Sequence, residues 1–133
     1  SKATFMPVRK IGFACDYTKV AATTPVELLK KIVKDFNAEL HVLNVEYNHS
    51  GDTEEKIAES KYVGDLLKEL KPSYQTILST DTILGINWFA EKEKIDWVVV
   101  IPKKHNLMEK MFSRSHTKEL LYHTHLPVLC MHE

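Results

Sequence analysis

"VVVIPKKHNLMEKMFSRSHTKELL", residues 98–121, begins as a run of branched apolar residues and ends at helical spacing. How its two ends are read decides the fold. "DWVVVI" (96–101) is the most apolar strand-like segment, as in a strand that lies centrally and is covered by helices on both faces. "SRSHTKELLYHT" (113–124) reads as a helix, with Ser113 or Ser115 as N-cap and Glu119 near its first turn. The connection between them and the first turn of that helix carry Lys103, Lys104, Lys110 and Arg114, together with His105 and His116, and no glycine. Strand-to-helix turns in α/β proteins commonly hold phosphates, and glycine is what lets the backbone wrap around them. Whether this turn still grips a phosphate is the functional question.

The strand–helix alternation extends outward from there. "VRKIGFAC" (8–15) is β-prone and apolar on both faces. "TPVELLKKIVKDF" (24–36) opens with Thr24 as N-cap and Pro25 at the first helical position, and Val26, Leu29, Ile32, Val33 and Phe36 recur at helical spacing. "ELHVLNVEY" (39–47) is the next strand, preceding a polar loop at 48–55. Residues 52–70 read as a long helix with an acidic first turn, stopped by Pro72. "SYQTILST" (73–80) is a third strand, and 81–94 a helix capped by Asp81, with Trp88 and Phe89 in core or interface. "LPVLCMH" (126–132) closes the chain as a fifth strand.

Five strands alternating with four helices predict an α/β fold, a five-stranded parallel doubly wound sheet with right-handed crossovers and helices on both faces. Ligands of such sheets sit at the carboxyl ends of the strands, where strand order reverses. Asp16, ending the first strand, and residues 101–116 should therefore face one crevice.

Bulk properties narrow the function classes. The chain has 133 residues and is 44% hydrophobic, which suits a single domain over 1–133 with residues 1–7 as tail or linker. Eighteen basic residues balance eighteen acidic ones, so no global field favours nucleic acid or an anionic membrane. No apolar run approaches a membrane span, and "SKATFMPVRK" lacks the apolar stretch of a secretion signal, so a cytoplasmic protein is expected. Ser1 stands where an initiating Met would, as in an expression scar or a piece of a longer chain. Cys15 and Cys130 each lie in apolar strand-like runs, as buried free thiols rather than a disulfide framework.

The segments "IGFACDYT", "AELHVLNV", "KIDWVVVI" and "SHTKELLYHTHLPVLCM", in this order and spacing, resemble the universal stress protein family over nearly the whole chain. The short helix, His-containing turn and Pro127-Val128-Leu129 entering the last strand are the most diagnostic part. The resemblance implies an adenine nucleotide alpha hydrolase-like fold with strand order 3-2-1-4-5. The style of the "FSRSHTKELLYHTHLPVL" segment is similar to stress proteins of the Bacteroidetes, which often carry two such domains, and this chain would be one half of such a pair.

The nucleotide-binding branch of that family carries Gly-x2-Gly-x9-Gly-Ser/Thr after the fourth strand. Those positions fall on Ile101, Lys104, Arg114 and Ser115, so three glycines are replaced and only the Ser is kept. Pro102 removes a further N–H donor. The resemblance therefore implies a degenerate ATP loop, with no cofactor expected and ATP or AMP only as an alternative ligand. Asp16 matches the family's adenine- or ribose-holding acid, or else caps the following turn. Lys103, Lys104, Arg114 and Ser115, with His105, His116 and Lys118, either form a side-chain anion site or a solvated basic loop.

His123, His125, Cys130 and His132 do not match a common structural zinc spacing, so no metal is expected. No Walker motif or Gly-x-Gly-x-x-Gly occurs, and no nucleophile has a base at a suitable position, so no enzymatic activity is expected. The last strand lies at an edge in the 3-2-1-4-5 order, and an apolar edge needs cover. The family commonly pairs these edges antiparallel across a two-fold axis. A homodimer through Pro127, Val128, Leu129, Cys130 and Met131 follows, or pairing with a sister domain of a tandem chain.

Overall fold

The structure is a computed structural model, and it describes residues 7–15, 26–46, 54–101 and 126–130. Five strands are present in these segments: β1 (Lys10–Ala14), β2 (Glu39–Glu46), β3 (Ser73–Leu78), β4 (Trp97–Val100) and β5 (Val128–Cys130). Three helices accompany them: α1 (Val26–Phe36), α2 (Glu54–Leu67) and α3 (Thr82–Glu93). All strand pairs are parallel, as the strand–helix alternation predicts, and the order is β3-β2-β1-β4-β5, as the family resemblance implies. The apolar 96–101 segment supplies β4, an internal strand between β1 and β5. The expected helix at 113–124, Thr24 and Pro25, and the last residues of the expected fifth strand lie outside the described residues.

Alternation along each strand divides the core in two. Ile11, Phe13 and Cys15 of β1 and its edge share one face with Leu40 and Val42 of β2, and are covered by Leu29 and Val33 of α1 and Val63 and Leu67 of α2. On the other face Ala14, Leu43, Val45, Val98 and Val100 pack against Ile83, Ile86, Phe89 and Ala90 of α3. Helices thus cover both faces, and β1 and β4 read as apolar runs because neither face meets water. Phe36, 41% exposed, still stacks edge-on against Trp97 at a centroid separation of 4.9 Å.

The ends of the helices follow their local chemistry. Asp81 caps α3 as expected: its Oδ1 accepts from the N–H groups of Ile83 (2.9 Å) and Leu84 (3.1 Å). Asp81→Ala should lower stability by about 1 kcal/mol, measured by denaturant unfolding, because two helix-start donors lose their acceptor. A loss under about 0.3 kcal/mol would mean that water replaces the carboxylate at no cost. Residues 52–70 depart from one continuous helix. The α-helix ends at Leu67, tightens to a 3-10 turn over Lys68–Leu70, and closes on Lys71 in the left-handed region (φ 50°) ahead of Pro72. Proline disfavours α geometry in the residue before it, which pulls the last turn out of the regular ladder.

Asp96, which no local sequence pattern marks, joins the sheet at its start. Its Oδ2 accepts from the N–H groups of Arg9 (2.8 Å) and Lys10 (2.9 Å), while its own N–H donates to Lys10 O (2.8 Å). The turn before β4 thereby fixes the beginning of β1 in register with it.

Candidate functional site

Parallel strands carry all their carboxyl ends to one pole, which is where the sequence places the expected crevice. β1 ends there in Ala14 and Cys15, β4 in Val100 and Ile101, and β2 in Val45 and Glu46. Cys15 N–H donates to Leu43 O (2.8 Å), which extends the ladder one residue past β1. Ile101, the residue at the first glycine position of the family loop, is buried in the α1/α2-side core. Its side chain therefore packs inward at the root of the loop. Asp16, Lys103, Lys104, Arg114 and Ser115 all lie outside the described residues, as do His105, His116 and Lys118.

Beside this crevice, toward the β3 edge, a cleft of about 350 Å³ opens between α2 and strands β2 and β3. None of its residues stood out in sequence. Asn44 and Glu46 follow Leu40 and Val42 on the same face of β2, so the strand's apolar alternation turns polar at its carboxyl end. The register Val42↔Tyr74 and Asn44↔Thr76 places Tyr74 and Thr76 beside them on β3. Lys56, Ser60 and Gly64 come from α2 at i, i+4 and i+8, one stripe facing the sheet. That stripe is polar in the first half of the helix and continues as apolar Val63 and Leu67 in the second. The inner face of α2 thus has no continuous apolar signature to read.

The polar groups of the cleft are unevenly matched. Lys56 Nζ pairs with Glu46 Oε1, and Asn44 Nδ2 donates to the same oxygen at 3.2 Å. Ser60 Oγ donates back to Ile57 O of its own helix (2.8 Å). Among the described residues, Asn44 Oδ1, Glu46 Oε2 and the hydroxyls of Tyr74 and Thr76 have no hydrogen-bond partner. Asn44 is only 3% exposed, and the hydrogen bond from its Nδ2 to Glu46 holds the amide in place. Burial pushes the Tyr74 phenol above its ordinary value, and the neighbouring Cys15 adds to the shift, so the hydroxyl stays protonated through neutral pH.

Gly64 sits mid-helix, where glycine costs about 1 kcal/mol against alanine. A Cβ there would meet only the Tyr74 hydroxyl, at 3.9 Å, an ordinary contact. Glycine is therefore not needed to relieve a clash; what it preserves is open space in front of Tyr74. Gly85 in α3 differs, since its Cβ would lie 3.2 Å from both Ser79 Cβ and Val45 Cγ1. There the missing side chain sets how closely α3 approaches the sheet.

Of the expected pairing surface, Pro127, Val128, Leu129 and Cys130 are described and Met131 is not. β5 is an edge strand, and each of its three residues is half-buried. Val98 N–H donates to Pro127 O (3.0 Å), so Pro127 and Leu129 turn their backbone groups to β4. By alternation, the N–H and C=O of Val128 and Cys130 face the free edge. Neither cysteine is in a disulfide, and Cys15 is buried while Cys130 is half-buried. They lie on opposite faces of the sheet, and burial pushes the Cys130 thiol up. Among the described residues no group of three or more His, Cys, Asp and Glu side chains converges. No helix of those residues is long and apolar enough to cross a membrane.

These features define a parallel, doubly wound α/β domain of the adenine nucleotide alpha hydrolase type. The universal stress protein family model matches residues 7–132, and the chain belongs to that family. A universal stress protein from Archaeoglobus fulgidus superposes with a TM-score of 0.67 at 15% identity, over 92% of this chain and 97% of its own. A universal stress protein solved in complex with cAMP gives 0.70 at 14% identity, over 96% and 98%. A structure of the Archaeoglobus fulgidus protein in complex with dAMP gives 0.64 at 14% identity, over 94% and 98%. A comparison with curated protein sequences gave no match.

Proposed function

We propose that this chain is a non-enzymatic, cytoplasmic stress-response domain that works by pairing through the free edge of β5 and does not hold ATP tightly. The observation that carries the reading is the loop after β4: Ile101, Lys104 and Arg114 stand where the nucleotide-binding branch of the family has glycines. Ile101 is buried in the core, so the loop starts from a side chain that is anchored inward. Backbone amides that cradle a phosphate must approach it closely, and three side chains with a proline work against that approach. The outward backbone groups of Val128 and Cys130 support the pairing, with a second copy or with a sister domain of a longer chain.

A second reading keeps the crevice as a weak nucleotide or anion site built from Asp16, Lys103, Lys104, Arg114 and Ser115. The relatives solved with cAMP and dAMP favour it, since neither ligand has a triphosphate for a glycine loop to hold. Thermal unfolding at low salt with ATP, AMP and inorganic phosphate separates the two. A ligand at about a hundred times its Kd would add about 2.7 kcal/mol, several degrees for a domain of this size. The first reading expects no shift with ATP beyond that of phosphate. An ATP shift of several degrees would overturn it, and an AMP shift larger than that of phosphate would establish the second.

A further inference from the structure

We infer that the cleft between α2 and the β2/β3 edge is a binding site for a neutral polyhydroxylated molecule of about monosaccharide size. Its volume of about 350 Å³ lies at the small end of the range for ligand pockets. Its described lining residues all come from α2, β2 and β3, and none belongs to the pairing edge.

The ligand class follows from charge and from the surplus of acceptors. Lys56 and Glu46, the charged side chains among the described lining residues, neutralise each other across the cleft, which favours a neutral ligand over a free anion or cation. The pair occupies Glu46 Oε1 alone. Glu46 Oε2 and Asn44 Oδ1 remain as acceptors, and Ser60 Oγ, whose hydrogen is committed to Ile57 O, can only accept. The Tyr74 and Thr76 hydroxyls either donate or accept. A wall with this surplus of acceptors is met by a molecule that brings several O–H donors at short spacing. The Tyr74 ring, half-exposed at the cleft, offers an apolar surface for the C–H face of such a molecule.

Two positions show a cleft kept open. Gly64 leaves room in front of the Tyr74 hydroxyl, although the helix would accommodate a methyl group there. Asn44 is an almost fully buried amide in a strand whose preceding inward residues, Leu40 and Val42, are apolar. A residue serving only the core would be apolar at that position as well.

The test is a titration of the purified chain, followed by amide chemical shifts, with D-ribose, D-glucose and myo-inositol, and with inorganic phosphate as the anionic control. Saturable shifts at residues 44–46, 56–64 and 74–76 are expected with at least one of the three polyols, at a Kd in the millimolar range. Gly64→Leu fills the cleft with a good helix former, and should weaken binding at least about tenfold without lowering the melting temperature. Thr76→Val, which removes one exposed hydroxyl at nearly constant shape, should weaken it as well and serves if Gly64→Leu does not fold. No saturation with any polyol up to about 100 mM would overturn the assignment. So would shifts that survive both substitutions, or shifts at these residues produced by phosphate alone. Displacement of the bound polyol by AMP would also overturn it, by making the cleft part of the nucleotide crevice.

Discussion

Phe89→Ala should cost about 3–5 kcal/mol of unfolding free energy, the largest effect expected of any single truncation on the α3 side. Phe89 is 2% exposed, at the centre of the cluster that joins α3 to β1, β2 and β4. Its ring edge lies 3.7 Å from where a Cβ of Gly12 would be, and it meets the His41 ring edge-on at a centroid separation of 6.3 Å. Removing it leaves a cavity bounded by Ile95 and by the flat backbone of Gly12, neither of which can move in to fill the space. Domains of this size have about 5–15 kcal/mol in all, so the variant should melt more than about 10 °C lower. Trp88→Ala is the control. Trp88 is 51% exposed and holds Lys92 Nζ over its ring at 4.8 Å, so its loss should cost less than about 1 kcal/mol. If the two substitutions had equal effects, the register of α3 against the sheet would be wrong.

Val128→Lys should convert a β5-paired dimer to monomer, seen as a later elution volume with the circular dichroism spectrum kept. An unbonded charge at a strand-to-strand junction is expelled to water, and paired edges leave it no route. Because Val128 also packs against the α3-side core, some loss of fold stability accompanies the change. Cys130→Pro isolates the edge itself: it deletes an outward N–H donor and leaves the β4 ladder, which uses Pro127 and Leu129, in place. Unchanged elution of both variants against a dimeric parent would place the interface elsewhere. A parent that elutes as a monomer at all concentrations would remove the pairing reading outright.

The parallel, doubly wound sheet was legible because it rests on two signals that do not depend on side-chain detail, whereas the strand order came with the family resemblance. The runs around β1 and β4 are apolar on both faces, which demands cover above and below. The handedness of the crossovers then leaves few topologies. Asp81 was legible as a cap because its chemistry is local. The cleft was not. Asn44 and Glu46 hide inside "ELHVLNVEY", a segment whose overall apolarity outweighs two polar residues, and only the pairing with Tyr74 and Thr76 brings the four together. Gly64 looked like one more scattered glycine because its partner is ten residues away, on another element. Asp96 was missed for the same reason: its acceptor role depends on Arg9 and Lys10, at the far end of the chain. Contacts local in sequence were readable, and those that need two strands in register were not.

The uniform direction of the five strands also governs how two such domains can be joined. The chain enters β1 at Lys10 on one pole of the sheet and leaves β5 at Cys130 on the other. Two domains stacked in the same orientation would need a connector running back along the sheet, about 15 Å for a five-residue strand, before the second could begin. Turning the second domain over removes that distance. With the β5 edges antiparallel, the end of β5 in one copy lies level with the start of β1 in the other, only β5 and β4 of that copy away. A short tether would then suffice, so the symmetry that would cover the β5 edge would also make fusion of two copies into a single polypeptide geometrically inexpensive.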